Sequence, residues 1–418
     1  MDERYGAVMS SGVADLPTGR GRHGSQHGRG WRHSAWRVVA FIATVLSVLA
    51  FAGFGYGWYE YRSLNHGLQR FHLSNLAGGA AAPKVSKAKG VNGTAMNILV
   101  TGLDSRTGLS QGERDLLGVG NDDSLSTDTV MVIHVPADGS KATLISLPRD
   151  SYVDVPGYLK NKLNAAYADG YTYASGTTKQ QQAAGANLLI QTVTQLTGLR
   201  IDHYIQVGFG GFYNIAKVVG NISVNLCHAT NDTGAYDLAH GEGAVGSGFV
   251  MSAGEHELNP VQALEFVRQR HNLPNGDLDR EARQRYFLEA AFKKIETAGM
   301  LLDPSKINSL IKAVTGSIFV DDTLNLQTLA DQMLNLTAGN ITGYTIPTQG
   351  SETVSIAGAQ SDVLQVDPTQ VQAFIAKILN PTPAPAHHAS TTPSSSAAST
   401  TPPSSTAKSA APAQSCIN

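Results

Sequence analysis

The chain has 418 residues, of which 42% are hydrophobic, and its formal net charge is -2. It is long enough to bury a substantial core and to hold one large domain or two medium ones. The first 37 residues carry six arginines and three acidic residues, a balance of +3, so the rest of the chain sums to -5. A body of that sign lacks the basic face of a nucleic-acid-binding protein. We therefore expect no nucleic acid partner.

A hydrophobic segment follows the basic head, which spans residues 1–37. No residue in 38–59 is charged, and a helix of that length can cross the hydrocarbon core of a bilayer. The residues just before it include arginines but no acidic side chains, and the three tryptophans lie near its two ends. This pattern predicts a single-pass transmembrane helix with a cytoplasmic N-terminus. The alternative is a cleaved signal peptide, which the long basic head and the length of the apolar run disfavour.

The rest of the chain divides by composition into a stalk, a domain and a tail. Residues 60–94 are predicted to form an extracytoplasmic stalk, because much of the segment is rich in Gly, Ala and Lys. Residues 381–418 consist largely of Pro, Ser, Thr and Ala, so we predict a disordered tail. Residues 95–380 form the predicted folded domain, on the outer side of the cell membrane.

The chain has two cysteines, Cys227 in the predicted domain and Cys416 in the predicted tail. Two cysteines in such different settings do not indicate a disulfide framework. We therefore expect Cys227 to be a buried free thiol. The sequence leaves open whether it pairs with Cys416.

Strand and helix patterns alternate within the domain. Short segments rich in β-branched residues predict strands at 96–102, 129–135, 142–147, 202–207 and 221–226. Helical spacing of apolar residues predicts helices at 187–196, 211–219, 261–270, 280–295 and 325–336. Asn259 and Pro260 supply an N-cap and a first-turn proline for the third of these helices. The alternation predicts an α/β domain with helices on both sides of a sheet.

Two carboxylates lie at the ends of predicted strands. Asp104 follows the first strand in TGLDSR, and Asp128 precedes the second in STDT. Ligands of open α/β sheets usually bind at strand ends. Two carboxylates there could hold a hard cation such as Mg²⁺ and leave its other positions to water and phosphate. The alternative for each aspartate, taken singly, is a turn cap.

Arginines dominate the polar residues that interrupt the apolar patterns. Arg149 follows a predicted strand in ISLPRDSY, so the strand delivers a guanidinium to the edge of the sheet. Arg268 and Arg270 end a predicted helix, and they would project about 200° apart if that helix continued. They can therefore share one ligand only if the helix frays there.

The next predicted helix brings further arginines together. Arg280, Arg283 and Gln284 are three and four residues apart, so we expect them on one helix face. A solvated surface decorated with arginine is the ordinary explanation. Lysine is used elsewhere in the chain, however, and the planar guanidinium fork binds phosphate oxygens in pairs. The arginines thus favour a phosphate site.

The chain resembles the LytR-CpsA-Psr family of cell-wall glycopolymer ligases in six segments: GLDSR, STDT, SLPRDSYVDVPGYLKNKLNAAYADG, GFGGFYNIAKVVGNISVNL, LNPVQALEFVRQRH and GDLDREARQ. The resemblance extends in order over most of residues 96–290. The SLPRD, RxR and DxxRxxRQ motifs in this order are specific. The anchor with its short basic head also resembles the layout of the family.

The resemblance implies an enzyme that holds a polyprenyl-(pyro)phosphate-linked glycan by its head group. Members of the family transfer the glycan, with a phosphate, to a hydroxyl of peptidoglycan. The implied fold is an α/β/α sandwich with a mixed sheet that encloses an apolar tunnel for the lipid chain. By this resemblance Asp104 and Asp128 would lie near Mg²⁺ and, with Arg149, serve catalysis. The implied head-group ligands are Arg149, Arg268, Arg270, Arg280 and Gln284.

The general base is not identified by the sequence. Arginine does not release its proton in proteins, so the base should be a carboxylate, with Asp150 and Asp154 as candidates, or a metal-bound hydroxyl of the acceptor. His271 directly follows the RxR pair and is a further candidate for contact with the head group.

Three other functions stay open. With water as the acceptor, the same site would be a polyprenyl pyrophosphate pyrophosphatase. A noncatalytic module would only tether carrier lipid or wall polymer to the membrane. Transcriptional regulation is suggested only by the historical name of the family and conflicts with the predicted anchor. The sequence does not identify the glycopolymer, because teichoic acid, arabinogalactan and capsular polysaccharide all travel on polyprenyl carriers.

Overall fold

The structure is a computed structural model, and it describes residues 69–74, 76, 95–121, 123–137, 141–233, 246–297, 299, 303, 306, 309, 312, 315, 317–324, 329, 341–380 and 416–418. The predicted head 1–37 and transmembrane helix 38–59 lie outside these residues, as do most of the predicted stalk, tail and helix 325–336. Among the described residues, no helix combines the length and apolarity that a membrane span requires. The head and the anchor therefore stay predictions, as do the parts of the stalk and tail outside the described residues.

The elements are numbered in chain order. The strands are β1 (Gln69–Phe71), β2 (Met96–Leu103), β3 (Thr127–Val135), β4 (Ala142–Ser146), β5 (Ser151–Val153), β6 (Asn161–Lys162), β7 (His203–Val207), β8 (Ile222–Leu226), β9 (Thr230–Asn231), β10 (Val250–Met251), β11 (Gly254–Leu258), β12 (Ile318–Asp321), β13 (Ile341–Thr345), β14 (Ser351–Ile356) and β15 (Ala359–Gln365). The helices are α1 (Gln111–Leu117), α2 (Ala165–Thr172), α3 (Thr178–Thr197), α4 (Phe209–Val219), α5 (Pro260–Arg268), α6 (Asp277–Thr297) and α7 (Pro368–Leu379).

A mixed seven-stranded sheet forms the centre of the described fold, in the order β1-β12-β7-β2-β3-β4-β13. The pairs β1–β12, β2–β7 and β4–β13 are parallel, whereas β7–β12, β2–β3 and β3–β4 are antiparallel. A second sheet has the order β14-β15-β5-β6, and β8 pairs with β11 outside the central sheet. The predicted α/β fold with a mixed central sheet is confirmed.

Alternating side chains send the two faces of the central sheet to different layers of helices. Leu99 and Tyr204 are fully buried on one face, in a core that also takes residues from α2, α3 and α7. The neighbouring residues Val100 and Ile205 point to the other face, where α4, α5 and α6 lie. Because successive side chains of a strand alternate between faces, helices cover both sides of the sheet as predicted.

Two strands illustrate what the sequence did not predict. Gln69–Phe71, within the predicted stalk, forms the edge strand β1 and pairs with β12. The predicted strand 221–226 forms β8, which pairs with β11 rather than joining the central sheet. Local composition can predict that a short segment is a strand, but the strand with which it pairs depends on residues far along the chain. The local sequence pattern therefore could not predict how these strands pair.

The end of the chain is fixed to the domain. Cys227 and Cys416 form a disulfide across 189 residues of sequence, so the predicted free thiol was wrong. Ile417 continues the contact, because its N–H donates to Asn225 O (2.8 Å) and its carbonyl accepts from Cys227 N (3.0 Å). Residues 416–418 are thus an ordered part of the fold, although they belong to the segment predicted as a tail.

Candidate functional site

A cavity of about 550 Å³ lies between the central sheet and the helices α4, α5 and α6. The strands contribute a mostly apolar wall that includes Val100, Ile133, Ile205 and Val320. Helix α4 adds aromatic side chains to the opposite wall, Phe212 among them. The cavity volume lies within the range of small-molecule sites.

Helix α6 gives the cavity a direction. Arg280 and Gln284 line it at the start of the helix, whereas later cavity residues of the same face are apolar. Fifteen residues of helix separate Arg280 from Ile295, which corresponds to about 22 Å. We call Phe287, Leu288, Ala291, Phe292 and Ile295 the apolar end. We call Asp104, Asp128, Arg268, Arg270 and Arg280 the charged end.

Antiparallel pairing brings Asp104 and Asp128 to the same edge of the sheet. Asp104 follows β2, Asp128 is the second residue of β3, and these two strands are neighbours. A register irregularity falls between Gly102 and Leu103. A Cβ at Gly102 would lie 2.9 Å from Thr129 Oγ1, so glycine permits the close approach of the strands there. Both carboxylates consequently line the cavity.

The RxR pair reaches the cavity because α5 ends between the two arginines. The helix ends at Arg268, and the backbone of Gln269 is extended, with φ -53° and ψ 132°. Side chains two residues apart in extended backbone point to the same side. Arg268 and Arg270 therefore both line the cavity. The helix ends before Arg270, which is the condition under which the two arginines can share one ligand.

Buried hydrogen bonds fix Gln269 on the opposite side of this backbone. Its amide nitrogen donates to Thr230 Oγ1 and to the carbonyl of His271 (2.8 Å). Its amide oxygen accepts from Arg283, whose guanidinium also donates to the backbone oxygen of Asn418. Arg283 thus turns away from the cavity, and the prediction that it shares a face with Arg280 and Gln284 was wrong.

Arg149 links two acidic residues behind the cavity wall. Its guanidinium pairs with Asp128 and, at 2.8 Å, with Asp277. Asp128 also pairs with Arg270 (3.0 Å), and Asp277 pairs with Arg280 (2.8 Å). The five side chains form one continuous network at the charged end. Arg149 itself is not among the residues that line the cavity.

The network fixes the charge states of its members. Burial alone would raise the pKa of Asp128, but Arg280, Arg149 and Arg270 lower it below the ordinary value. Burial lowers the pKa of Arg280 to about 10, with Asp277 opposing the shift. Asp128 is therefore ionised and Arg280 is charged at neutral pH.

Asp104 lies in a different electrostatic environment. Burial raises its pKa, and the Asp128 carboxylate raises it further, whereas Arg106 opposes the shift. Arg106 Nη1 lies 2.7 Å from Asp104 Oδ1, yet this buried oxygen accepts no well-aligned hydrogen bond from the described residues. Asp104 is thus the carboxylate of the charged end that is least stabilised as an anion.

Two polar cavity residues, Arg106 and Asp232, were not among the candidates predicted from the sequence. Arg106 and the predicted Arg268 both lie over the ring of Phe209, at 5.4 and 5.1 Å from its centroid, so a cation–π arrangement supports both guanidiniums. Arg106 stands two residues after Asp104 in the quoted TGLDSR motif, which was a usable signal. Asp232 also lines the cavity, but it lies in no recognisable motif.

Two predicted candidates for the general base do not line the cavity. Asp150 pairs with Lys162 (3.0 Å) and lies 3.5 Å from Arg149. Asp154 is exposed and belongs to a separate small depression beside Lys160. By contrast, His271 lines the cavity at its charged end, and Gln284 is held there by a hydrogen bond from Thr129 (2.8 Å).

The LytR_cpsA_psr family model matches residues 74–377. The chain belongs to this family. It is 34% identical over 372 residues to the cell wall biosynthesis protein LcpA of Corynebacterium glutamicum, an alignment that covers 84% of this chain and 67% of LcpA. It is 33% identical over 215 residues to the polyisoprenyl-teichoic acid–peptidoglycan teichoic acid transferase TagU of Oceanobacillus iheyensis, covering 50% of this chain and 56% of TagU.

Solved structures support the LytR-CpsA-Psr fold. A Streptococcus agalactiae protein superposes with a TM-score of 0.50 and 22% identity, over 68% of this chain and 88% of that one. TagV of B. subtilis superposes with a TM-score of 0.50 and 20% identity, over 69% of this chain and 99% of TagV. At these identities the likeness concerns the fold alone.

The donors at the charged end fit a divalent cation of the kind implied for the LytR-CpsA-Psr family. Asp104 Oδ1 is buried without a well-aligned hydrogen-bond donor, and the Asp128 carboxylate is close enough to influence its pKa. The described residues contain no cluster of three or more metal-ligating side chains. Mg²⁺ commonly uses only one or two carboxylates, together with water and substrate phosphates. A Mg²⁺ ion therefore stays a prediction that these two carboxylates suit.

Proposed function

We propose that this protein is a membrane-anchored extracytoplasmic phosphotransferase. It moves a glycopolymer, with its phosphate, from a polyprenyl-(pyro)phosphate carrier to a hydroxyl of peptidoglycan. The uncharged segment 38–59 supports the anchor, and the similarity to TagU, a teichoic acid–peptidoglycan transferase, supports the class of reaction. The observation that carries the proposal is the single cavity with arginines at one end and apolar side chains at the other.

The two ends of the cavity match the two parts of a carrier lipid. The charged end suits a pyrophosphate, because Arg268, Arg270 and Arg280 present guanidiniums to one space. Arg280 Nε is buried and has no hydrogen-bond partner among the described residues, so an anionic oxygen would satisfy it. The apolar end suits the first isoprene units, which gain free energy by leaving water.

The charged end would stabilise the transition state of phosphoryl transfer. Negative charge spreads over the nonbridging oxygens of the transferred phosphoryl group, and fixed guanidiniums stabilise it without reorganisation. Asp128 and Asp277 hold Arg270 and Arg280 in place, and Arg149 joins the two carboxylates. Arg149 would thus orient the arginines that touch the head group, in addition to any direct contact.

Asp104 and Asp128 would hold Mg²⁺ in this proposal. The ion would neutralise part of the charge on the pyrophosphate, and it would also offset the burial of Asp104. The protein residues contribute the remaining cationic charge. The identity of the glycopolymer stays open, because the described cavity residues contact the carrier end of the substrate.

The test is a comparison of Arg270→Ala with Arg200→Ala in the full chain. Both arginines are about half exposed and both pair with an aspartate, but Arg200 lies away from the cavity. Loss of a charge-assisted hydrogen bond costs about 1.5–3 kcal/mol, so Arg270→Ala should weaken binding of undecaprenyl pyrophosphate by roughly 10- to 150-fold. Arg200→Ala should leave the affinity unchanged. Equal affinities for both variants would contradict the proposal.

The reaction class needs a second measurement on the same protein. A polyprenyl pyrophosphate-linked disaccharide is supplied with and without peptidoglycan fragments, and the products are separated. Transfer of the sugar phosphate to the fragments supports the phosphotransferase. Release of free sugar phosphate at the same rate in both cases would identify a pyrophosphatase. Binding without turnover would identify a tethering module.

A further inference from the structure

The cavity wall contains few side chains that can accept a proton. Among the described lining residues, the titratable groups other than arginine are Asp104, Asp128, Asp232 and His271. Asp104 pairs with Arg106, and Asp128 pairs with Arg149 and Arg270. Both would also be the ligands of a metal ion. The other two residues contact each other, and the roles assigned above do not use them.

Asp232 and His271 form a hydrogen-bonded pair. The distance from His271 Nδ1 to Asp232 Oδ1 is 3.0 Å. Asp232 is only 1% exposed, and its second oxygen accepts from the backbone N–H groups of Ser247 (2.9 Å) and Arg270 (3.4 Å). A buried carboxylate that accepts from two N–H groups takes its third hydrogen bond from Nδ1–H. In that tautomer Nε2 carries the basic lone pair of the imidazole.

The surroundings hold both members of the pair rigidly. The backbone N–H of Asp232 donates to Phe249 O (2.9 Å), and its carbonyl accepts from Gly248 N (2.8 Å). The carbonyl of His271 accepts from the buried side chain of Gln269. The same backbone that presents Arg268 and Arg270 to the cavity therefore also fixes the position of His271. Among the described residues, Asp232 contacts His271, and Arg268 and Arg270 line the same cavity.

We infer that His271 is the general base of the transfer reaction and that Asp232 is its positioning residue; this inference rests on the proposed function. The hydroxyl of the acceptor sugar loses its proton to His271 as its oxygen forms a bond to the sugar-side phosphorus of the carrier pyrophosphate. The bond from that phosphorus to the bridging oxygen breaks, and polyprenyl phosphate leaves with the bonding electrons. The imidazolium then returns the proton to water.

This assignment fits the chemistry of the charged end. The arginines and a metal ion can stabilise the phosphoryl group, but arginine is already protonated at neutral pH, and Asp104 and Asp128 would be engaged as ligands of the metal ion. An imidazole oriented by a buried carboxylate is the arrangement that activates hydroxyl nucleophiles in other enzymes. The competing explanation is structural, because Asp232 also joins the segment 246–249 to the end of α5.

The experiment measures transfer kinetics for full-chain variants with a polyprenyl pyrophosphate-linked disaccharide and peptidoglycan fragments. His271→Gln keeps a polar side chain of similar size but cannot act as a base. A general base contributes typically 10²–10⁴-fold, so kcat should fall by at least about 100-fold while KM for the donor changes less than about threefold. Asp232→Asn should lower kcat by roughly tenfold through misorientation of the imidazole.

Two further variants separate catalysis from folding. His271→Ala opens space for added imidazole, which should restore a large part of the lost kcat without changing the melting temperature. His256→Gln is the matched control, because His256 is half-buried, bonds to the Ser252 carbonyl and lies outside the cavity lining. It should have wild-type kinetics.

Two results would overturn the inference. The first is a His271→Gln variant that keeps a third or more of the wild-type kcat. The second is a joint loss of kcat, donor binding and melting temperature with no rescue of His271→Ala by imidazole, which would leave only a structural role. A wild-type chain that neither binds nor transfers the donor would refute the proposed function itself. That outcome can be distinguished from a failure of the His271 inference, because it is seen in the wild-type protein before any variant is compared.

Discussion

The charged end and the apolar end of the cavity are built in different ways. The apolar end comes from one face of α6, so the regular periodicity of the helix positions it. The charged end gathers side chains from positions as distant in the chain as Asp104 and Arg280, and ion pairs hold them. Its geometry therefore depends on long-range contacts that the apolar end does not need.

The dependence of the charged end extends to the last residues of the chain. Asn418 accepts from Arg283, Arg283 donates to Gln269, and Gln269 separates Arg268 from Arg270. The Cys227–Cys416 disulfide holds this contact in place. The comparison predicts that changes at the end of the chain affect head-group binding but leave the apolar end intact.

The largest expected effect is on stability, when the disulfide is removed. Cys416→Ser, or reduction of the wild type, frees a link that closes a long loop and lets residues 416–418 leave Arg283. We expect the free energy of unfolding to fall by about 2–5 kcal/mol in urea titrations. The affinity for inorganic pyrophosphate should fall as well.

The control is the double variant Cys227→Ser with Cys416→Ser, whose unfolding midpoint should not respond to a reducing agent. An unchanged midpoint of the wild type on complete reduction would show that the disulfide contributes nothing to the fold. The geometry of the charged end would then not depend on residues 416–418.

A substitution at the apolar end should affect lipid binding without affecting pyrophosphate binding. Ala291→Trp places an indole where we expect the lipid chain, because Ala291 lines the cavity and is buried. Each displaced methylene forfeits about 0.8 kcal/mol, so exclusion of a few methylenes should weaken undecaprenyl pyrophosphate binding by roughly 30-fold or more. The affinity for inorganic pyrophosphate should stay within about twofold, as measured by calorimetric titration.

Lys293→Trp is the matched control, since Lys293 is exposed on the same helix and does not line the cavity. It should bind both ligands like the wild type. Parallel loss of inorganic pyrophosphate binding in Ala291→Trp would indicate that the two ends are not separable.

The last expected effect concerns Glu281, which is buried behind the charged end. Burial, assisted by Asp277, raises the pKa of Glu281 to about 8, and its Oε1 accepts from the backbone N–H of Arg149 (3.3 Å). Between about pH 4.5 and pH 8 the folded state keeps a proton that the unfolded state releases. Stability should therefore fall with rising pH by about 1.4 kcal/mol per pH unit from this group.

Glu281→Gln keeps the acceptor oxygen but removes the titration. Urea unfolding at pH 5, 6 and 7 should give a steeper loss of stability for the wild type than for the variant, and the variant should be the more stable protein at pH 7. Parallel curves for the two proteins would show that Glu281 ionises normally in the folded state.

The sequence predicted several regular elements correctly, although it did not predict β12 to β15 or helix α7. The first predicted strand, 96–102, corresponds to Met96–Leu103, and helix α5 begins at Pro260 as its capping residues indicated. The side chain of Asn259 accepts hydrogen bonds from Val261 N and Gln262 N. Local propensities and caps carry enough information for such elements, because their stabilising contacts lie within a few residues.

The parts that escaped prediction depend on contacts between distant residues. Local spacing placed Arg283 with Arg280, but its guanidinium instead satisfies Gln269 and Asn418. The pairing of Arg149 with Asp128 and Asp277 was likewise not predicted, and its direct contact with the head group stays a prediction. Helical spacing fixes the direction of a side chain only approximately, and buried hydrogen bonds then select its partner.

The decisive measurement is a crystal structure of the full chain with undecaprenyl pyrophosphate. We expect phosphate oxygens within hydrogen-bond distance of Arg268, Arg270 and Arg280. We also expect the first isoprene units to contact Phe287 and Leu288. A head group bound outside the cavity, or a lipid chain directed away from the later turns of α6, would refute the proposed binding mode.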